Sequence, residues 1–244
     1  NATKCTGESV TFTVTATGTS LTYQWRKGGV NIGGATSSSY TIASVVAGDA
    51  GSYDVIVSGT CGSPDTSTAA TLTVNTPPNI TGNPSNATKC VGESVTFTLT
   101  ATGSGLTYQW RKGGSNIGGA TSSSYTIPSV VVGDAGSYDV IVSGTCTPPE
   151  TSTAATLTVN PPPDITGNPS NATKCVGESV TFTVTATGSG LTYQWRKGGS
   201  NIGGATSTSY TIPSVVAGDA GSYDVIVTGT CTPPDTSTSA TLTV

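Results

Sequence analysis

The chain has 244 residues, of which 9% are charged against roughly 25% in ordinary soluble domains, with a net charge of −4 and no histidine. So little charge, slightly acidic, cannot track a phosphate backbone, which excludes nucleic acid as a partner; without histidine the commonest general base and zinc ligand is missing. No apolar stretch approaches the about eighteen residues of a membrane-spanning helix, and no charged-then-apolar leader opens the chain, so a signal peptide is expected to have been removed or to lie upstream.

From the start of the chain, residues 9–17 read S-V-T-F-T-V-T-A-T. Strict alternation sets Val10, Phe12, Val14 and Ala16 on one face and four threonines on the other, which predicts one continuous half-buried strand. Further alternating runs follow at Leu21 to Trp25, Tyr40 to Ile42, Tyr53 to Val57 and Ala70 to Val74. Between them lie turn signals, Gly28-Gly29, Gly33-Gly34, Gly48-Asp49 and Ser63-Pro64-Asp65, and no segment carries helical periodicity. The Gly-rich run Gly28 to Gly34 lacks the helix and lysine of a phosphate loop, and is read as tight turns around a short, partly exposed strand.

This pattern is written three times with a period of 85 residues. Residues 1–74 match residues 86–159 at 64 of 74 positions, and the second and third copies match at 68 of 74. Each copy is long enough to bury its own core, so the chain is expected to be three domains, 1–76, 77–161 and 162–244. Such faithful repetition points to selection for number of modules, hence length or valency. Asn1 falls in the phase of Asn86 and Asn171, and Val244 in that of Val74 and Val159, as in a window cut from a longer array or a subunit continued at each end. The linkers Asn75 to Ser85 and Asn160 to Ser170 open on consecutive prolines, which favour an extended path. Ile80 to Thr88 is expected to enter the next unit as its first strand. Three sandwiches of about 40 Å would then stack into a rod of somewhat over ~100 Å.

Each unit resembles an immunoglobulin-like domain. The residues that carry the likeness are a Trp eleven positions after an apolar residue of the first long strand, and the motif D-x-G-x-Y, as Asp49 to Tyr53, Asp134 to Tyr138 and Asp219 to Tyr223. The resemblance is nearest to the tandem immunoglobulin-like repeats of large bacterial surface and secreted proteins. It implies an all-β fold of antiparallel sandwiches, with Trp25, Trp110 and Trp195 in the cores and Tyr53, Tyr138 and Tyr223 as tyrosine corners. The family's usual bridge would join the positions of Val14 and Val55, both apolar here. The cysteines lie elsewhere, two per unit, with no C-x-x-C spacing, which argues for disulfides and an oxidising, extracellular or cell-surface location. Repeat symmetry leaves two pairings. One joins cysteines inside each unit, Cys5–Cys61, Cys90–Cys146 and Cys175–Cys231, and is preferred because a small domain gains most from its own staple. The other joins Cys61 to Cys90 and Cys146 to Cys175.

Catalysis has little to work with. Lys4 and Lys27 sit in polar, turn-adjacent sequence, and the place of Asp49 in D-x-G-x-Y marks it for backbone bonding. The family often pairs that Asp with an Arg on a middle strand, and Arg26, directly after the Trp, is poorly placed for it. Calcium would need several converging carboxylates, yet no D-x-D run occurs and Asp164 of one linker is Asn79 in the other. Neither a metal nor a cofactor is expected. Asn1, Asn79, Asn86 and Asn171 begin N-x-T triplets, the pattern of an N-glycan acceptor, and the abundant Ser and Thr admit O-glycans. The Thr-x-Thr ladder of Thr11 to Thr17 is read as exposed strand rather than a flat ligand-binding array. The expected function is a non-catalytic structural array, a surface stalk or filament, whose partners are neighbouring repeats or identical subunits. The alternative is an adhesin that holds a glycan or protein ligand in the loops Gly28 to Ser39 and Gly59 to Asp65.

Overall fold

The computed structural model describes all 244 residues. It is built of short β-strands and three single-turn 3-10 helices, Ala47–Asp49, Val132–Asp134 and Ala217–Asp219. No helix is long and apolar enough to cross a membrane. Two compact units divide the chain: the first takes Asn1–Pro84, Thr98–Tyr125 and Tyr138–Ala154, the second Ser85–Phe97, Thr126–Ser137 and Ala155–Val244. The middle repeat contributes strands to both.

In the first unit, repeat 1 forms a sheet in the order Ala2–Cys5, Ala70–Asn75, Gly51–Ser58, Thr22–Lys27 and Val30–Asn31, with Asp65–Thr66 also on Gly51–Ser58. Ala2–Cys5 runs parallel to Ala70–Asn75, and the other neighbours are antiparallel. A second sheet pairs Val10–Thr13 with Ser39–Ile42. The period-2 pattern explains the layering. Val10 and Phe12 face inward from the small sheet, and Trp25, Tyr53, Val55 and Leu72 face them from the large one. Phe12 stacks on Tyr53 with ring centroids 4.8 Å apart, a favourable offset arrangement that adds to the area both bury. The unit also holds Thr107–Lys112, paired with the strand that ends at Ser143, and Asn79–Gly82, paired with Thr100–Thr102.

The second unit repeats the plan in residues 172–243, with the large sheet in the order Ala172–Thr173, Ala240–Thr243, Gly221–Thr228, Thr192–Lys197 and Ser200–Asn201, and the small sheet Val180–Thr183 with Ser209–Ile212. Its core gathers Phe182, Val184, Trp195, Tyr223, Val225, Val227 and Leu242. The same unit holds Ala87–Cys90 parallel to Ala155–Asn160, and Asp164–Gly167 antiparallel to Thr185–Thr187.

Two expected strands differ in extent. The run 9–17 is not continuous: it stops at Thr13 in repeat 1 and breaks at Leu99 and Val184 in the others. There the backbone turns from one partner to another. The Leu99 N–H donates to the carbonyl of Ser123, and Thr100–Thr102 then pairs with the linker strand. Residues 80–88 likewise form two strands, Asn79–Gly82 and Ala87–Cys90, separated at Asn83-Pro84, because proline has no N–H for a ladder and Pro84 is buried where the path bends.

Candidate functional site

Several ionic groups are held in local structural roles. Arg26, Arg111 and Arg196 each make a two-pronged pair with an aspartate on the neighbouring strand, Asp54, Asp139 and Asp224, at 2.7 Å from Nε. The hydrogen bonds to these carboxylates raise the guanidinium pKa values above their ordinary value, so the arginines stay charged. Asp49 is not the arginine's partner. Its Oδ2 accepts from the Val46 N–H at 2.8 Å, closing the 3-10 turn, while the Tyr53 hydroxyl donates to its carbonyl at 2.7 Å. Tyr223 donates to Asp219 in the same way. Burial, then the nearby Asp49 and Tyr40, push the Tyr53 phenol up to about 12, and burial does the same to Tyr223. Lys27 donates to the Gly48 carbonyl and lies 5.8 Å from the Tyr53 ring centroid. Nowhere do three or more Cys, Asp or Glu side chains come together as a metal-holding group.

Trp25, Trp110, Trp195, Tyr53, Tyr138 and Tyr223 are all buried. The indole N–H of each tryptophan donates to a backbone carbonyl at 2.9 Å, from Ser37, Ser122 and Ser207, which satisfies the one polar atom a buried Trp carries. The loops proposed as adhesive are not drawn together: Gly33 to Thr41 and Gly59 to Asp65 line separate depressions. Asn1, Asn86 and Asn171 are exposed, but their side-chain oxygens accept from the N–H groups of Thr71, Thr156 and Thr241 at 2.7–2.9 Å. Asn79 opens a strand and is also exposed.

The more elaborate construction is at the linkers. Asn79–Gly82 lies antiparallel to Thr100–Thr102, with Ile80 opposite Ala101. The Ile80 N–H donates to Glu150 at 2.5 Å, and the matching Ile165 N–H donates to Asp235 at 2.8 Å. Asn83 accepts from the Thr153 N–H and Asn168 from that of Thr238. The prolines pack closely. A Cβ on Gly103 would fall 2.9 Å from the Pro77 oxygen, and one on Gly144 would meet the Pro78 ring at 3.2 Å. Gly103, at φ +144°, is thus required both by backbone and by space. Sequence reasoning placed a strand here but missed its acidic anchor. The clue was an Asp or Glu that recurs seventy residues after each linker isoleucine.

The cysteine pairing corrects the expectation. Cys5 bonds Cys146 and Cys90 bonds Cys231, each across 141 residues, whereas Cys61 and Cys175 are unpaired and exposed. Neither the pairing inside each repeat nor its rival is formed. Cys5 closes Ala2–Cys5, which pairs with Ala70–Asn75, while Cys61 lies in the loop after Gly51–Ser58. A bridge needs Cα atoms roughly 4.4–6.8 Å apart, and the observed pairs meet at 5.8 and 5.6 Å. The rule that a small domain staples itself loses to the position of the strand that carries the cysteine.

Comparison with known proteins follows the same lines. The chain is 42% identical to the "Decoration protein" of Escherichia phage T5 over 29% of its length and 44% of that protein's. It is 30% identical to the "Highly immunogenic outer capsid protein" of Enterobacteria phage T4 over 93% of its length and 66% of that protein's. It therefore spans less than two thirds of either relative. Among solved structures, an I-band fragment of titin, I67–I69, superposes with a TM-score of 0.75 at 20% identity, covering 99% of this chain and 94% of that one. The first four immunoglobulin domains of Sidekick-1 give 0.52 at 20% identity, over 99% of this chain and 73% of theirs. At such identity the likeness is one of fold alone. The sequence profile of the immunoglobulin domain matches residues 77–143 and 162–228, together more than half of the chain, and with its tryptophan-centred sandwiches the chain belongs to the immunoglobulin domain family.

Proposed function

We propose that this is a non-catalytic structural array of immunoglobulin-like domains, 1–76, 77–161 and 162–244, displayed on the outside of a cell or a virus particle. The observation that carries the reading is the way repeats are joined: each linker is a strand anchored by an acidic side chain, and bridges cross from one repeat to the next. Structure has been invested in continuity between copies. The arginines that would serve chemistry are paired with aspartates of the neighbouring strand, and Lys27 donates to the Gly48 carbonyl of a 3-10 turn. Disulfides fit an oxidising, exterior setting, and two relatives are named as a decoration protein and an outer capsid protein. A weakly charged, hydroxyl-rich surface generates little self-repulsion, which suits an array packed at high density. Immunogold electron microscopy on intact source material, with antibodies raised against the whole chain, tests this. Label on the outer surface of unbroken cells or particles is expected, and label seen only after lysis would overturn it. A specific, saturable hit for the whole chain on a glycan array would replace the structural reading by the adhesin.

A further inference from the structure

Repeat 1 lacks something the other two possess, and it lacks it consistently. Thr100–Thr102 and Thr185–Thr187 are strands because linker segments pair with them, whereas the equivalent Thr15, Ala16 and Thr17 form no strand. Val142 and Val227 are fully buried, but the equivalent Val57 is only half-buried. Val14 and Ala70 are likewise half-buried, where Leu99, Val184, Ala155 and Ala240 are buried. Glu150 and Asp235 hold linker N–H groups, while the equivalent Asp65 is exposed and its Oδ1 accepts only from Thr66 beside it. A Cβ on Gly144 or Gly229 would press on a linker proline; on Gly59 it would meet only Thr19 and Leu21. The result is a cleft of about 610 Å³ along Val14 to Thr17, Leu21, Val57 and Asp65. A second, independent observation falls in the same repeat. Cys146 and Cys231 are each bonded to the cysteine 141 residues upstream, and their equivalent, Cys61, is an exposed thiol.

We propose that repeat 1 is an acceptor site for another immunoglobulin-like repeat of this type, joined ahead of Asn1 by a linker of the form Pro-Pro-(Asn/Asp)-Ile-Thr-Gly-Asn-Pro-Ser. The linker strand lies antiparallel to Thr15–Thr17, its prolines seat against Leu21 and Gly59, and its isoleucine N–H donates to Asp65. The incoming repeat's cysteine in the register of Cys5 joins Cys61. The bond forms by thiol–disulfide exchange with a small disulfide such as oxidised glutathione: two thiols give one disulfide, and the oxidant leaves as two reduced thiols. The occupant is argued from this chain itself, which twice shows the same groove filled by the same sequence. It rests on the array reading only in that an array supplies such a neighbour, and it is independent of where the array is displayed.

The test extends the whole chain. Residues 86–170 are duplicated ahead of Asn1 and the product is oxidised with glutathione disulfide. A second product carries only residues 160–170 ahead of Asn1. In the first, alkylation of Cys61 is expected to fall more than tenfold, and non-reducing peptide mapping should link the Cys61 peptide to one bearing the added copy's Cys90. In both, amide exchange of Thr15–Thr17 should slow at least tenfold. Asp65→Asn guards against misfolding as an explanation: the exposed carboxylate accepts only from the adjacent Thr66 N–H, so the unextended chain should keep its exchange, while the slowing on extension should shrink because the charged acceptor for the isoleucine N–H is gone. Cys61 still reactive in the folded first product, unaltered exchange in both, or Cys61–Cys175 oligomers that persist after extension would each overturn the proposal.

Discussion

The disulfide arrangement separates two pictures of how the repeats are held, and Cys5→Ser tells them apart. In the structure Cys5 bonds Cys146 across 141 residues. In the chain-entropy account, a loop of that length restricts the unfolded state enough to stabilise the fold by about 5 kcal/mol, against about 4 kcal/mol for the shorter loop of a bridge within one repeat. With a urea dependence of about 2 kcal/mol per molar, removing the bridge should lower the midpoint of the transition that opens repeats 1 and 2 by about 2.5 M. Cys61→Ser removes no bridge, and should move the midpoint by no more than about 0.5 kcal/mol in equivalent stability. Thiol titration in denaturant sharpens the distinction. The unaltered chain should show two thiols, Cys61 and Cys175. Cys5→Ser should show three, since Cys146 is added, and Cys61→Ser only one. Bridges within each repeat would instead give none in the unaltered chain and equal losses of stability in both variants. That result, or a crosslinked peptide pair holding Cys5 and Cys61, would refute the reasoning.

Three further outcomes are expected. Tyr53 and Tyr223 hold their protons more tightly in the fold, with values pushed up to about 12; their contribution is whole below the ordinary value near 10 and is lost as pH climbs to about 12, so tyrosinate absorbance and unfolding should rise together in that window. Glu150→Gln replaces a charged acceptor of the Ile80 N–H by a neutral one; a loss of about 1 kcal/mol should appear as faster amide exchange at Ile80, with no matching effect of Asp65→Asn on the unextended chain. Leu157→Ala opens a cavity at a side chain 1% exposed and should cost about 2–5 kcal/mol in denaturant unfolding, while Val30→Ala, at 71% exposure, should cost almost nothing.

The sandwich was legible because its signals are local. Alternation at Val10 to Thr13 and Gly51 to Ser58 puts one face of each strand inside, and D-x-G-x-Y places a tyrosine hydroxyl over a carbonyl four residues back. Where a residue's fate depends on a distant partner, the sequence was silent or misleading. The alternation of Val14 to Thr17 continues unbroken on paper, but whether it becomes strand depends on a linker arriving to pair with it. The doubt over Asp49 and Arg26 was well placed, since position on adjacent strands gives Arg26 to Asp54. The cysteine pairing depends on how strands bring Cys5 towards Cys146, and no spacing rule within an 85-residue period encodes that.

The two bridges overlap, one closing residues 5–146 and the other 90–231. A protease that nicks the backbone once, anywhere between Cys5 and Cys231, therefore releases nothing: the severed ends remain in one covalent body. Even one nick before Cys90 combined with another after Cys146 leaves three pieces on a common tether. Damage at one surface loop is thereby uncoupled from loss of the repeats on either side of it.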